Sequence, residues 1–229
     1  MSGATAARWN RSSSTPERTE CASWCWNRAH SMSSNGGNTF SMAGPPWYTY
    51  DFHADKHDIV FDGNTIYCST DGGLYASTDH GNNWIDIENI PNTQFYHVAV
   101  YPHSSGLYFG GAQDNGTCSG NQSSINQWER VFGGDGFDIQ FHPTVPDVFY
   151  VETQDGGIWT TNDGGLYMYD AVDGIDDNDR RNWDMPYLIS NFNANTLYTG
   201  TYRLYKSTSG NFPFWQPISG DLTKGPLGQ

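Results

Sequence analysis

The chain has 229 residues and a formal net charge of −14, an acidic balance that excludes a phosphate backbone as an expected partner because like charges repel. Aromatic residues make up 15% of the chain and charged residues only 16%, a composition that favours short strands and tight turns over long surface helices. The sequence contains no apolar run of about eighteen residues, so no membrane span is predicted.

Residues 1–32 differ from the rest of the chain. They show no apolar core of the kind a signal peptide carries, and no alternation typical of a strand. The segment is predicted to be disordered or a non-native start, and residues 33–229 are predicted to form the folded part.

Runs typical of β-strands recur from about residue 33 onward in four sets. In chain order they read HDIVFD, TIYCST, GLYAST and WIDIEN; FYHVAVYP, LYFGGAQ and QWERVFG; FDIQFHP, VFYVETQ and GIWTTN; and MPYLISNF, TLYTGTY, RLYKSTS and FWQPIS. Each set occupies roughly 40 to 45 residues, the repeat length of propeller blades. The first run of each set is mostly apolar, which predicts an inner strand buried on both faces. The predicted fold is all-β: an incomplete β-propeller of about four four-stranded antiparallel blades.

A turn motif accompanies these runs. The stretch STDHGNNW places Ser77, Asp79, Gly81 and Trp84 in the pattern Ser/Thr-x-Asp-x-Gly-x-Thr-Trp, which resembles the Asp-box or BNR repeat. Three less complete copies are Ser33, Asn35, Gly37 and Phe40; Thr161, Asp163 and Gly165; and Ser207, Gly210 and Trp215. The motif implies a structural turn: the aspartate accepts backbone N–H bonds, the glycine supplies an unusual backbone angle, and the aromatic residue packs as an anchor. Asp79 is therefore expected to be structural, not catalytic.

Longer phrases extend this resemblance over about residues 33–224. FHADKHDIVFD, TQFYHVAVYP, GGAQDNGT, GGDGFDIQFHP and FWQPISGDLT are similar to segments of bacterial extracellular Asp-box propellers, relatives of the sortilin luminal propeller and of xyloglucan-degrading endoglucanases. The resemblance implies a secreted or cell-surface location. It also implies a fragment of a larger propeller, whose remaining blades or another chain would cover its open edges.

A second class of turn is predicted between the second and third strands of each set. It carries Asp71, Asp114 and Asp155, with Tyr202 and Arg203 in the fourth set, and Asp135 lies in a turn between sets. Propeller topology would gather these turns on one face, as an acidic, aromatic-flanked surface for a glycan, a cation or a protein. The alternative is that Asp-Gly simply makes tight hairpins.

Three functions are compatible with such a face. The leading interpretation is a module that binds a glycan or a protein ligand; the others are a xyloglucanase-like glycoside hydrolase and a sortilin-like peptide-binding propeller. A hydrolase would need two carboxylates about 5 Å or about 6.5–9.5 Å apart, and Asp71, Asp114, Asp135 and Asp155 are the candidates. Enzyme activity is not predicted. A sialidase is disfavoured because the repeat region holds few arginines: Arg130, Arg180, Arg181 and Arg203.

Two stretches raise the question of metal binding, although no cofactor is expected. His53, Asp55 and His57 alternate and would share one strand face as a transition-metal site, with hydrogen bonds between blades as the preferred interpretation. The stretch DAVDGIDDNDRRNWD fails the EF-hand pattern. It is interpreted as a solvated insertion neutralised by Arg180 and Arg181, with a loose calcium loop as the alternative.

The four cysteines form no CxxC pair: Cys21, Cys25, Cys68 and Cys118. Free or buried thiols are the preferred interpretation. A Cys68–Cys118 disulfide is the alternative if the two strands are neighbours.

Overall fold

The computed structural model describes residues 22–26, 29–33, 35, 38–42, 44–45, 52–88, 90, 92–123 and 127–223. Over these residues the regular structure is antiparallel β, apart from a 3-10 turn at Gln154–Gly156. No helix in the described part of the chain is long and apolar enough to cross a membrane. The chain divides into two compact units, Met1–Pro91 (unit 1) and Asn92–Gln229 (unit 2).

Unit 1 contains two sheets. The first joins β1 (Ala22–Trp26), β2 (Ala29–Ser33) and β3 (Ser41–Met42) in that order. The second, blade 1, joins β4 (Lys56–Asp62), β5 (Thr65–Thr70), β6 (Gly73–Ser77) and β7 (Ile85–Asp86). Strand pairing therefore extends into the segment predicted to be disordered or non-native, where the sequence ASWCW holds two tryptophans, residues that favour strands.

Unit 2 contains three blades. Blade 2 consists of β8 (His97–Val100), β9 (Leu107–Ala112), β10 (Gly116–Asn121) and β11 (Glu129–Phe132). Blade 3 consists of β12 (Ile139–Phe141), β13 (Phe149–Thr153), β14 (Gly157–Thr161) and β15 (Tyr169–Asp170). Blade 4 consists of β16 (Tyr187–Ser190), β17 (Asn193–Gly200), β18 (Leu204–Ser207) and β19 (Gln216–Pro217).

Each blade is a meander in which consecutive strands pair antiparallel. Short connections of this kind keep neighbours in sequence adjacent in space. The predicted fold class, an all-β chain made of the four-stranded blades of an incomplete β-propeller, is confirmed.

The burial of the strands differs from the sequence prediction. In blades 1 to 3 the second strand is more buried than the first: β13, for example, buries Phe149, Tyr150, Val151 and Glu152. In β8 partly buried residues alternate with exposed ones, and in β16 the buried Tyr187 and Ile189 flank the exposed Leu188. The prediction of a doubly buried first strand is wrong because alternate side chains of β8 and β16 remain exposed on one face: Val98, Val100 and Leu188.

The core of unit 2 lies mainly between blades 3 and 4. Tyr150 and Ile158 of blade 3 pack with Tyr187, Leu197 and Tyr205 of blade 4 in one buried apolar cluster. In unit 1 a smaller cluster surrounds β5 and β6, with Phe52 stacked on the ring of Trp84 at a centroid distance of 4.4 Å. Aromatic side chains carry most of this burial, as the composition suggests.

No disulfide joins Cys68 to Cys118 in the described part of the chain, so the alternative of a disulfide between them is wrong. Burial raises the pKa of the Cys118 thiol, which keeps it in its unreactive protonated form. The remaining two cysteines of the predicted set lie outside the residues whose side chains are described.

Candidate functional site

Four turns share one hydrogen-bond pattern, and we call them the Ser/Thr turns: they begin at Ser33, Ser77, Thr161 and Ser207. In the turn after β6, Ser77 Oγ donates to Asp79 Oδ1 at 2.9 Å, and the same oxygen accepts the N–H of Asn83 at 2.9 Å. The Gly81 N–H donates back to Ser77 Oγ at 2.8 Å. The aspartate therefore organises its own turn.

The other Ser/Thr turns repeat these contacts with different residues. Thr161 donates to Asp163 at 2.8 Å, and Ser33 donates to Asn35 at 2.9 Å. In the last turn Ser209 takes the aspartate position, lying 2.9 Å from Ser207 and accepting the N–H of Phe214. A carboxylate, a side-chain amide or a hydroxyl oxygen thus acts as the acceptor at this position of the turn. Of the residues predicted for the first turn, Gly37 lies outside the described residues.

The aromatic residue that follows the turn is buried in two cases. Trp84 is 8% exposed and its indole N–H donates to Gly81 O at 3.1 Å. Trp215 is 1% exposed and donates to Ala171 O at 2.7 Å, which connects blade 4 to the segment after β15. Phe40, in the corresponding place of the first turn, remains 45% exposed.

Replacing Asp79 with alanine is expected to lower the melting temperature by about 3 °C at pH 7, because the turn loses its acceptor. Hydrogen bonds, the largest from the Asn83 N–H, lower the pKa of Asp79 to about 2. Because the folded chain favours the charged carboxylate, Asp79 stabilises the fold at pH values above the ordinary pKa of aspartate. This stabilisation is lost as the pH falls towards 2.

Thermal unfolding at pH 7 and near pH 2 would measure this effect, with Asp62→Ala at the exposed end of β4 as the matched control. A difference from the wild-type protein that is as large near pH 2 as at pH 7 would contradict the role of the charged carboxylate.

The turns at one end of unit 2 are hydrogen-bonded to one another, and we call this end the loop end: residues 96–97, 113–115, 133–138, 152–156, 180–185 and 201–203. Asp135 Oδ1 accepts the backbone N–H of Asp114 at 2.7 Å, and the Asp135 N–H donates to Gln154 at 3.0 Å. The Asp155 N–H donates to Trp183 O at 3.0 Å. The structure therefore brings the turns of Asp114, Asp135 and Asp155 together in one unit.

An aromatic group lies among these turns. The ring of Tyr96 stacks on buried Phe137 at a centroid distance of 5.4 Å, and Trp183 meets both rings edge-on. Tyr96 and Trp183 are each 39% exposed, so both present ring surface to solvent. The hydroxyl of Tyr96 donates to Gln113.

Three carboxylates act electrostatically on the Tyr96 hydroxyl. Its pKa is raised first by burial and then by the negative charges of Asp135, Asp114 and Asp184. Asp184 in turn lies 2.9 Å from His97 Nε2 at the start of β8. The loop end thus combines exposed aromatic rings with negative charge from three different turns.

Asp71 belongs to the equivalent turn of unit 1, where its carboxylate pairs with His57. Its backbone N–H donates to Asp55 O at 3.3 Å. Asp55 has a left-handed φ of 54°, and β4 carries an irregularity between Lys56 and Asp58. Because of this irregularity, the three residues do not alternate along one regular strand face as predicted. His53, Asp55 and His57 do not form a metal-ligand group in the described structure.

Tyr202 and Arg203, predicted as ligand contacts, belong to a buried ion-pair network. Arg203 donates to Asp179 from Nε at 2.9 Å and from Nη2 at 2.6 Å, while Tyr205 and Thr201 donate to the same carboxylate. These bonds, led by those from Arg203, hold the pKa of Asp179 well below its usual range.

This network corrects the interpretation of the acidic insertion. The insertion was predicted to be solvated and neutralised by Arg180 and Arg181. Arg181 does pair with the exposed Asp177, at 3.8 Å, but the side chain of Asp179 is 1% exposed and its partner is Arg203, from the next hairpin. Arg180 instead pairs with Asp221 at 3.1 Å. A buried carboxylate needs a fixed, donor-rich partner, and the hairpin supplies one in Arg203. The ring of Tyr202 lies against the guanidinium groups of Arg180 and Arg203.

Sequence reasoning missed the residues that join the loop end together. His97 and Asp184 are 87 positions apart and carry no local motif. Glu152 had a usable signal, because it is an acidic residue inside the otherwise apolar run VFYVETQ. Its side chain is fully buried and accepts the Met185 N–H at 2.5 Å.

No protein-family model and no curated protein matches the sequence. Among solved structures, the chain is similar to an ancestral GH74 enzyme with 26% identity and a TM-score of 0.47, over 72% of this chain and 24% of that one. It is similar to the GH74 xyloglucanase from Xanthomonas campestris with 17% identity and a TM-score of 0.42, over 86% of this chain and 35% of that one. It is also similar to YCF48 from Cyanidioschyzon merolae with 13% identity and a TM-score of 0.41, over 88% of this chain and 65% of that one. The chain spans less than two thirds of each of these proteins.

Proposed function

We propose that unit 2 is a ligand-binding propeller module whose loop end takes a glycan. The observation that supports this is the pair of half-exposed rings, Tyr96 and Trp183, beside the carboxylates of Asp114, Asp135 and Asp184. Exposed aromatic faces give a sugar ring an apolar surface, and carboxylates accept hydrogen bonds from its hydroxyl groups. We further propose that the Ser/Thr turns are Asp-boxes, that the protein acts outside the cell, and that further blades or another chain complete the propeller.

A peptide with basic side chains is the second candidate ligand. Three carboxylates whose charges all act on one hydroxyl suit a lysine or arginine side chain, which the neighbouring rings would also attract through cation–π contact. Salt dependence distinguishes such a peptide from a glycan, because added salt would weaken the affinity for the charged peptide.

Hydrolysis of a glycan is the third candidate. Asp135 is used as the acceptor for the Asp114 N–H, and Asp71 is paired with His57 in unit 1. A hydrolase needs one carboxyl group held as an acid and a second one across the scissile bond. Release of reducing ends from soluble xyloglucan would support the hydrolase, and intact polymer after prolonged incubation would count against it.

Binding to a glycan array, followed by calorimetric titration of the glycan that binds best, tests the leading proposal. Trp183→Ala is expected to weaken the affinity by about tenfold, because one aromatic contact in a site contributes on the order of 1–2 kcal/mol. Phe192→Ala is the matched control, since Phe192 is fully exposed between β16 and β17 and lies away from the loop end.

Two results would overturn the glycan proposal. The first is an array without any glycan bound while a lysine- and arginine-rich peptide binds in a salt-dependent manner. The second is unchanged glycan affinity in Trp183→Ala.

A further inference from the structure

The segment Trp183–Met185 connects three blades of unit 2. Trp183 O accepts the N–H of Asp155 in blade 3, and Asp184 pairs with His97 in blade 2. Met185 leads directly into β16 of blade 4, and its side chain is fully buried. Because Trp183 and Asp184 also form part of the loop end, the position of this segment determines the shape of the proposed ligand site.

Glu152 binds this segment through a hydrogen bond to its last residue, Met185. Its side chain is 0% exposed, and its Oε1 accepts the Met185 N–H at 2.5 Å. The other oxygen, Oε2, has no hydrogen-bond partner in the described structure. A buried carboxyl with one unpartnered oxygen is tolerated as a neutral acid, whereas its ionised form would need water or a cation.

The groups around Glu152 oppose its ionisation. Asp184 of the segment and Asp138 before β12 are acidic, and Tyr187 of β16 is buried nearby with its hydroxyl donating to Asp138 O. Burial first, and then the charges of Asp184 and Asp138, raise the pKa of Glu152 to about 8. On the outer side, His97 Nε2 lies 2.9 Å from Asp184 Oδ2. Acid therefore favours the contact between Glu152 and the segment.

We propose that Glu152 makes the position of the Trp183–Met185 segment depend on pH. The position seen in the structure, which we call closed, is kept in acid, and the segment leaves it as the pH rises. Protons thereby regulate ligand access to the loop end. The effect on ligand binding rests on the proposed function. The movement of the segment does not.

The sign follows from linkage. The closed form keeps the Glu152 proton up to about pH 8, whereas an opened form with hydrated Glu152 loses it near the ordinary value for glutamate, 4.5. Between these values the opened form binds fewer protons, so raising the pH favours opening by about tenfold per unit. Above about pH 8 both forms have lost the proton and the dependence ends.

Amide hydrogen exchange of the unliganded chain tests this. Protection factors for a peptide covering residues 180–188, corrected for the intrinsic pH dependence of exchange, would be measured from pH 5 to pH 9 with β17 as an internal reference. The wild-type protection is expected to fall by about tenfold per pH unit and to level off near pH 8. Glu152→Gln keeps an oxygen for the Met185 N–H but cannot ionise, so its protection should be flat. Glu129→Gln, at an exposed position of β11, should behave like the wild type.

A flat wild-type profile, or an unchanged slope in Glu152→Gln, would overturn the proposal. If Glu152→Gln does not fold, Asp138→Asn decides: removing one repelling charge should move the levelling-off to a lower pH, and an unmoved profile would overturn the proposal. Because no ligand is present, failure of glycan binding leaves this result standing, and failure of the segment to respond leaves glycan binding standing.

Discussion

Replacing Trp215 with alanine is expected to lower the free energy of unfolding of unit 2 by about 4 kcal/mol, the usual cost of removing a large aromatic side chain from a core. Trp215 is 1% exposed within the cluster that joins blades 3 and 4, and its indole N–H satisfies Ala171 O at 2.7 Å. The substitution therefore leaves both a cavity and an unpaired carbonyl. Urea unfolding followed by circular dichroism would measure the change.

Phe214→Ala is the matched control, because the adjacent ring is 57% exposed and its loss should change the unfolding free energy by less than about 1 kcal/mol. Equal effects of the two substitutions would mean that blades 3 and 4 do not depend on the buried indole.

Replacing Arg203 with alanine is expected to lower the melting temperature by about 10 °C, because the buried carboxylate of Asp179 loses the partner that makes two hydrogen bonds to it. Tyr205 and Thr201 would remain as donors, but neither carries a compensating charge. Differential scanning calorimetry at neutral pH would measure the loss.

The double variant Arg203→Ala with Asp179→Asn tests the cause. If the cost arises from an unpaired buried charge, removing that charge should restore part of the melting temperature. Arg180→Ala is the control, since Arg180 is 66% exposed in its pair with Asp221. A double variant less stable than Arg203→Ala alone would show that packing, not charge, sets the loss.

The strands were largely predictable because apolar and β-branched runs are separated by strong turn residues. The run TIYCST coincides with β5, and GLYAST differs from β6 by one residue. Blade 4 was predicted with all four of its strands. Local propensity and turn chemistry agree in these segments, which is the condition under which sequence reasoning works.

The missed strand β10 shows where such reasoning fails. Its sequence, GTCSGN, is poor in apolar residues, yet the strand pairs on both sides, with β9 and β11. Its glycines are required by close approach: a Cβ on Gly116 would lie 2.1 Å from Phe132 O, and one on Gly120 would lie 2.5 Å from the Trp128 ring. Strand propensity disfavours glycine, but here neighbouring residues of the same chain occupy the space that a side chain would need.

The candidate site was predictable only in part, because turns can be located from sequence whereas contacts between distant turns cannot. The positions of Asp114, Asp135 and Asp155 were identified, although Asp135 proves to connect two turns. Trp183 and Asp184 were assigned to the end of the solvated insertion, and Met185 to the start of the strand run MPYLISNF. Its contacts reach 87 and 33 positions back along the chain, to His97 and Glu152, and no local pattern encodes such distances.

The last strand is only two residues long in three of the four blades: β7, β15 and β19. An outer strand of this length offers a foreign chain few backbone groups for intermolecular strand addition. In β19 one of the two residues is Pro217, which has no N–H to donate. The outer rim of these blades is therefore poorly suited to seed aggregation, even though the chain is rich in residues that favour strands.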